Sequence, residues 1–497
     1  MTNFKNILEK TALFIFVLLF SFVTVDVIIN PQGLHVELNT VFLIMAVLIT
    51  AIISISAVYI FRKIQNKITF FHIFIWIGLI LMQIICIRLF SVRYEVETWD
   101  MSVVYNAAKY FADNGIFSRQ HYDYFLLFPN NSGLYNILVV LFGIFNKTGI
   151  ENTQLALNIF NTILIDISVL FIDKSLVLLT DKSYKGVSVL LCAMLCPFTF
   201  YSVLAYTDTF SLIFVSLAVY FYIRILKETG NIFVNSVIFA LSVSIGSNLK
   251  FSVFILLIAA VIDFILKNKL TKKSCGVIIL MILMTTGSYF SIRNVVYTSS
   301  YLPEYDYNYS IPYTHWVMMG LNGLGGYCDD DYQNITLRYP DIPSRMQANI
   351  EEIERRVKEK GVVGMITHLT NKLSFIYSDG TFSACYKLDR AVLHPGPYHE
   401  YVIYCGTRYK ILAYYSLGML ISTILYGISA AVISMKRKNT DILMLSLSLI
   451  GVTLFLLIWE ARTRYLFNFL PVFVIMAGYG IKQIICYFEN KKIKNKV

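Results

Sequence analysis

LYNILVVLFGIF, residues 134 to 145, decides how the rest of the chain is threaded. The run is apolar enough to enter a membrane, but a straight crossing needs about 20 residues. Its length fits a segment that lies at the interface or re-enters on the same side. Counted as a crossing, it would reverse every later loop and put the basic LKNKLTKK (266–273) outside. Left on the external face, it gives apolar runs at about 11–30, 40–61, 68–90, 154–178, 186–205, 208–226, 232–249, 251–267, 274–294, 410–435, 441–459 and 464–486. FRKIQNK, DKSYK, RILKETG, LKNKLTKK, MKRKNTD and the tail ENKKIKNKV then all share one side, which the positive-inside rule makes cytoplasmic. The expectation is therefore an all-α polytopic membrane protein of about 12 spans with both termini cytoplasmic.

Composition agrees with that class. The chain is 57% hydrophobic and 15% charged with a mean hydropathy of +0.64, outside the range of soluble domains. Its net charge of +11 does not form a basic face for nucleic acid, because the Lys and Arg sit in short inter-span connectors. No small-residue cleavage site follows the first apolar run, so it is expected to be a retained span. Cys192 and Cys196 lie one helical turn apart, a spacing that reads as packing. Cys328, Cys385 and Cys405 share one loop, where a single disulfide is admissible and one thiol is left over.

The chain divides into an N-terminal three-span region (1–90), a juxtamembrane acidic loop with interfacial helices (91–153), six central spans (154–294), a large external loop (295–409), and three C-terminal spans with a basic tail (410–497). No internal repeat or low-complexity linker is visible. Within the large loop, SRMQANIEEIERRVKEKG reads as a solvated helix from Ser344 to a stop at Gly361, with i,i+4 pairs Glu351/Arg355, Glu352/Arg356 and Glu354/Lys358. HWVMMGLNGLGGYCDDDY (315–332) reads either as a mobile loop closing over a site or as a tight turn region. Its CDDD run admits a divalent cation, though a solvated acidic turn is the simpler reading.

On this threading, polar residues remote in sequence share the external face. Glu97 and Asp100 follow the third span, Asp208 opens a later one, Lys250 lies between two, and Glu460, Arg462 and Arg464 occupy WEARTRY. Each has an ordinary alternative. Asp100 and Asp208 suit helix caps, Lys250 suits a snorkelling position, and Glu460/Arg464 suits an i,i+4 pair. Their coincidence at one hydrophobic boundary points instead to a lipid-linked anionic substrate, with cations for its phosphate and a carboxylate to activate a nucleophile.

At these residues the sequence resembles the GT-C superfamily of polytopic membrane glycosyltransferases, of the protein O-mannosyltransferase and lipid A aminoarabinose transferase type, bacterial branch. ETWDMSVVYNAAKYFADNGIF is similar to their first external loop with its catalytic Asp, and FPNNSGLYNILVVLFGIF to the juxtamembrane segment that follows. AYTDTFSLIFVSLAVY resembles the second external acidic position, and RTRYLFNFLPVF the late Arg-Tyr-then-Pro signature. Two spans rather than one precede the span that leads into the acidic loop, and the family's adjacent Asp-Glu is Asp100-Met101 here. The resemblance implies an enzyme that moves a sugar from a polyprenyl-phosphate donor to an extracytoplasmic acceptor, whether cell-envelope glycan, lipid or protein. Asp100 would be the general base of an inverting displacement. Lys250, Arg462 and Arg464 would hold the donor phosphate, Asp208 would shape the site, and Glu97 and Glu460 would support it. No cofactor is required by this reading, and a divalent cation remains open. The alternatives are a polysaccharide polymerase or ligase, in which basic residues of the late loop matter and Asp100 does not, and a lipid-linked glycan flippase, which needs charges at mid-bilayer.

Overall fold

The computed structural model describes residues 2–65, 67–68, 70–97, 99–269, 271–304, 306–437 and 440–494. Among the described residues the chain is helical and has no strand; one isolated antiparallel bridge joins Val92 and Val392. The helices are α1 (Thr2–Ile29), α2 (Thr40–Gln65), α3 (Phe71–Phe90), α4 (Asp100–Asn114), α5 (Tyr122–Leu127), α6 (Ser132–Lys147), α7 (Thr153–Leu179), α8 (Val187–Met194), α9 (Pro197–Phe200), α10 (Thr207–Leu226), α11 (Ile232–Leu249), α12 (Ile255–Lys267) and α13 (Lys272–Tyr297). They continue with α14 (Tyr313–Met319), α15 (Ile342–Tyr377), α16 (Ala384–Leu388), α17 (Tyr409–Arg437), α18 (Leu443–Ile458) and α19 (Leu470–Lys494).

Nine described helices are long and apolar enough to cross a membrane, or up to eleven spans if each of two bent pairs counts as one. This is a polytopic all-α membrane protein. The nine coincide with nine of the twelve runs drawn above. The run 186–205 is one of the bent pairs, turned by 77° where Pro197 removes a backbone N–H from the ladder. The runs 251–267 and 441–459 yield helices of only 13 and 16 residues. The most buried elements are α17 and α19, while α3 and α13 lie at the periphery.

The segment 134–145 falls in α6, the second half of the other bent pair, which turns by 105° at Phe128–Pro129. Both of its ends meet the same end of the bundle. Before it, Tyr206 at the start of α10 donates to Asn131 Oδ1 at 3.1 Å. After it, Gln154 Nε2 donates to the Val92 carbonyl at 2.8 Å, and Tyr105 and Thr153 hydroxyls meet at 2.9 Å. The helix buries Leu134, Leu138, Phe142 and Phe145 and leaves Ile137, Val140 and Ile144 exposed. It enters and leaves at one end, as its length requires.

The opposite end gathers the basic connectors. Lys5 donates to the carbonyls of Ile265 (2.6 Å) and Asn268 (2.7 Å), Arg62 lies 4.2 Å over the Tyr184 ring, Lys482 pairs with Asp181 at 3.4 Å, and Lys227 with Asp441 at 2.6 Å. Of those connectors, residues 66, 270, 438–439 and 495–497 lie outside the described residues.

The large loop is more embedded than its charge suggests. α15 starts two residues before Ser344, with Asp341 accepting the Ser344 N–H at 2.9 Å. Gly361 does not end it but breaks it, with φ at +55°, and the helix resumes to Tyr377. Arg356 is buried rather than solvated. It holds Asp331 through two nitrogens at 2.8 and 2.6 Å and Glu352 at 2.6 Å. Arg355 turns to Glu352 and Glu359. All eight cysteines are free thiols.

Candidate functional site at one end of the bundle

The end of the bundle opposite the basic connectors collects five separate chain segments. The first is 91–100. Tyr94 fixes it, its hydroxyl shared between Asn158 Oδ1 and the Val203 carbonyl, both at 2.6 Å. α4 then starts at Asp100 itself, with Trp99 in extended backbone as its N-cap. Asp100 therefore does not cap the helix. It sits in the first turn, where the helix dipole favours a carboxylate, and its Oδ2 lies 3.7 Å from Arg464 Nη2.

The second and third segments meet as a pair. Asp208, in the first turn of α10, is buried against Lys250, which stands in the short break between α11 and α12. Lys250 therefore does not snorkel. Its ammonium also lies 4.8 Å from the Tyr465 ring, and Arg464 covers Tyr465 at 5.2 Å and Tyr206 at 5.5 Å.

The fourth segment is 459–465, between α18 and α19. Glu460 does not pair with Arg464. It is buried, 3.7 Å from Arg462 Nε, and accepts the Tyr465 hydroxyl at 2.9 Å. Burial pushes its carboxyl above the ordinary range against the pull of both arginines. This connector is pinned from above. Lys372 of α15 donates to the carbonyls of Gly320, Leu457 and Trp459 at 2.7, 3.0 and 2.7 Å, and Ala461 N–H donates to Gly325 at 2.8 Å. Gly325 has φ of +82°, and a Cβ there would stand 2.4 Å from Lys372 Cε, so only glycine fits. GLGG is a fixed turn clamped onto the site, not a loose cover.

The fifth segment, 379–391, was not among the candidates read from sequence. α16 carries Lys387, and Arg390 follows two residues past its end. Lys387 is buried, with its ammonium 4.5 Å from the Trp99 ring, next to Asp100. The Val92–Val392 bridge, with Arg93 N–H donating to Ala391 at 2.7 Å, ties this segment to the Asp100 loop.

A family model described as "Conserved hypothetical integral membrane protein" matches residues 3–485. The chain belongs to that family. No curated protein and no solved structure matches it.

Of the residues chosen from sequence in this integral membrane protein, Asp100, Asp208, Lys250, Glu460, Arg462 and Arg464 come together. Glu97 does not. It turns to His121 Nε2 at 2.5 Å and accepts from Asn106 at 3.3 Å, lining a separate surface pocket with Glu95, Tyr110 and Gln120. The CDDD run is spent locally: Asp329 accepts from Tyr327, Asp330 from Asn334, and Asp331 holds Arg356. No group of three or more His, Cys, Asp or Glu suited to a metal ion occurs among the described residues. Lys387 and Arg390 carried one weak signal, two cations three residues apart in CYKLDR.

Proposed function

We propose that this protein is an integral-membrane glycosyltransferase of GT-C type with twelve crossings, moving a sugar from a polyprenyl-phosphate donor to an acceptor on the extracytoplasmic side. The observation that carries the reading is the Asp100–Arg464 contact. A half-exposed carboxylate stands beside a nearly buried guanidinium at a bundle end that also holds Arg462. An in-line sugar transfer needs a base for the acceptor hydroxyl and a cation for the phosphate that gains charge as the glycosidic bond breaks. Asp100 is the base and Arg464, with Arg462, stabilises the leaving phosphate. Asp208 and Lys250 neutralise each other and shape the floor.

Helix length supports a substrate that lives in the bilayer. The far ends of α12 and α18 are anchored among charges, at Lys267–Asn268 beside Lys5 and at Asp441 beside Lys227. From there, 13 and 16 residues rise about 20 and 24 Å. The four-residue turn Phe251–Phe254 carries the first on to Lys250, adding about 8 Å, and the 460–464 connector follows the second, which supports a site near the boundary of the roughly 30 Å core, where a lipid phosphate lies.

One observation favours a second reading. Lys387 and Arg390, basic residues of the late loop, enter the site, as a polysaccharide polymerase or ligase would require. Full-length protein in nanodiscs, supplied with a panel of polyprenyl-phosphate sugars and an envelope extract as acceptor, separates the two. Transfer that needs Asp100 supports the transferase. Glycan polymerisation or ligation that survives Asp100→Asn refutes it.

A further inference from the structure

Glu97 lines a second pocket, which the proposed base and its arginines leave unexplained. α4 stops at Gly115, whose φ of +71° lets its N–H reach back to the Phe111 carbonyl at 2.8 Å. The chain then doubles back along the helix. Phe117 sets its ring edge-on to Phe125 and Tyr135, with centroids 5.8 and 5.7 Å away, and the turn Arg119–His121 lands beside the Glu97 carboxylate. A cleft of about 440 Å³ remains between this turn, α4 and the loop that carries Glu95 and Glu97. That volume is in the range of small-molecule sites.

The cleft holds polar groups that the fold itself does not use. Ser118 is 7% exposed, and its hydroxyl makes no hydrogen bond among the described residues. His121, 5% exposed, gives Nε2 to Glu97 and leaves a buried Nδ1 without a partner. Buried polar groups left unpaired destabilise a fold, and native structures keep few of them. Among the exposed lining residues, the Glu95 carboxylate, the Gln120 amide and the Tyr110 hydroxyl also make no hydrogen bond or ion pair to described residues. Asn106 is engaged: it donates to the Glu95 carbonyl at 3.2 Å and to Glu97 Oε1 at 3.3 Å, which fixes the acidic loop to α4.

We infer that this cleft is the acceptor's binding site and that the acceptor is a carbohydrate. The lining names the class. Two carboxylates and one histidine line it, and no Lys or Arg does among the described residues, so it repels a phosphate. The nearby Arg93 and Arg119 are exposed and outside the lining, and Lys109 pairs with Asp113 at 3.1 Å. The unused groups are mixed in kind. Glu95 only accepts, whereas the Ser118 and Tyr110 hydroxyls and the Gln120 amide both donate and accept. An ammonium ligand uses acceptors alone. Sugar hydroxyls use both, and the Tyr110 ring, 41% exposed, offers a face to the apolar side of a sugar. Position supplies the role. Glu97 and Asp100 are three residues apart, at most about 10 Å of chain, and Asp100 opens the helix that carries Asn106 and Tyr110. The role of acceptor rests on the transferase reading; the binding of carbohydrate does not.

The test uses full-length protein in nanodiscs, screened on an array of neutral oligosaccharides and against the diamine putrescine, with the best glycan then titrated by calorimetry. Wild type should bind a neutral glycan and leave putrescine unbound. Glu97→Gln should bind that glycan at least tenfold more weakly. So should the double variant Tyr110→Ala/Gln120→Ala, whose exposed positions leave the fold and its melting temperature unchanged. An array on which no neutral glycan binds overturns the inference, as does putrescine bound in place of glycan. Affinity within threefold of wild type in the double variant also overturns it. Titrating the same glycan free and on a lipid tail tells a polymer acceptor from a glycolipid, since only the second gains from the bilayer. Asp100→Asn should bind the glycan as wild type does. Glycan binding in a protein that transfers no sugar refutes the transferase and keeps the cleft. Transfer with an unchanged acceptor KM in Glu97→Gln refutes the cleft and keeps the transferase.

Discussion

Asp100→Asn removes one charge, keeps the side chain's shape, and has two consequences of different size. The first is on stability. The Asp100 side chain is 47% exposed and its contact with Arg464 is long, at 3.7 Å. Pairs of that kind contribute about 0–1 kcal/mol, and Asn is tolerated in the first turn of a helix. The variant should therefore melt within about 4 °C of wild type. The second is on rate. A positioned general base contributes about 10²–10⁴-fold, which is about 2.7–5.4 kcal/mol of barrier at 1.36 kcal/mol per decade. The two effects do not overlap, so lost activity cannot be mistaken for lost fold. The assay follows release of radiolabelled sugar from its polyprenyl phosphate under single-turnover conditions, with thermal unfolding measured on the same nanodisc sample. The expected result is release slowed at least 100-fold with the melting temperature nearly unchanged. Release at the wild-type rate refutes the base assignment. A melting temperature lowered by ten degrees or more refutes the structural reasoning, because Asp100 would then be holding the bundle together.

Asp208→Asn should fail the other way: breaking a buried pair costs about 3–5 kcal/mol, so the protein should unfold early, and Asp208→Asn/Lys250→Met together should recover much of that loss. A double variant no more stable than the single one would count against a mutual pair. Lys372→Met takes the ammonium away from the Leu457 and Trp459 carbonyls, each worth about 1–3 kcal/mol, and from Gly320, which also meets His368 Nε2 at 3.1 Å; a denaturation curve within 1 kcal/mol of wild type would show the clamp to be idle. Burial holds the His315 imidazole down to about 4, against a pull from Asp331. The unfolded chain then takes up the proton first, and stability present above about pH 6.5 is lost as pH falls toward 4. His315→Asn should flatten that fall, and parallel pH curves for the two proteins would refute the assignment. The exposed native Cys405 should react with an impermeant maleimide on intact cells, whereas Lys436→Cys in a cysteine-free background should react only after permeabilisation. Labelling of residue 436 from outside would invert the proposed sidedness.

How far the sequence could be read follows from which forces are local. A hydrocarbon core imposes a length, so nine of the twelve spans drawn from apolar runs return as helices long enough to cross, while the placement of 134–145 on one face needed its short length together with the charge of the later connectors. The alternation of basic connectors was enough to bring Asp100, Asp208, Lys250 and the 460–464 residues to one end. Which carboxylate meets which cation was not legible, because that depends on how α10, α11 and α19 pack. Glu460 and Arg464 have i,i+4 spacing, yet the segment between them is irregular and each turns to a different partner. Lys387 and Arg390 were missed for a sharper reason. In a long loop, CYKLDR reads as solvated charge. Its burial depends on Val92 meeting Val392, 300 residues away, and on left-handed backbone at Phe382, Ser383 and Ala391. Non-glycine residues in that region leave no mark in a sequence.

The two acids that looked equivalent in sequence are separated by exposure. Asp208 has a side chain 3% exposed and locked to Lys250, whereas Asp100 is half open to the site and only loosely held by Arg464. A general base must exchange partners within a turnover: it accepts a proton, gives it up, and is reset. A carboxylate sealed in a buried pair cannot do so without exposing an unpaired lysine, at several kcal/mol. One held at 3.7 Å by an arginine can. In the proposed transfer Arg464 would turn from Asp100 to the departing phosphate as negative charge builds there, freeing the carboxylate to bind the acceptor's proton. A long contact between the two is what such a shared cation would require, and a tighter one would slow both halves of that proposed reaction.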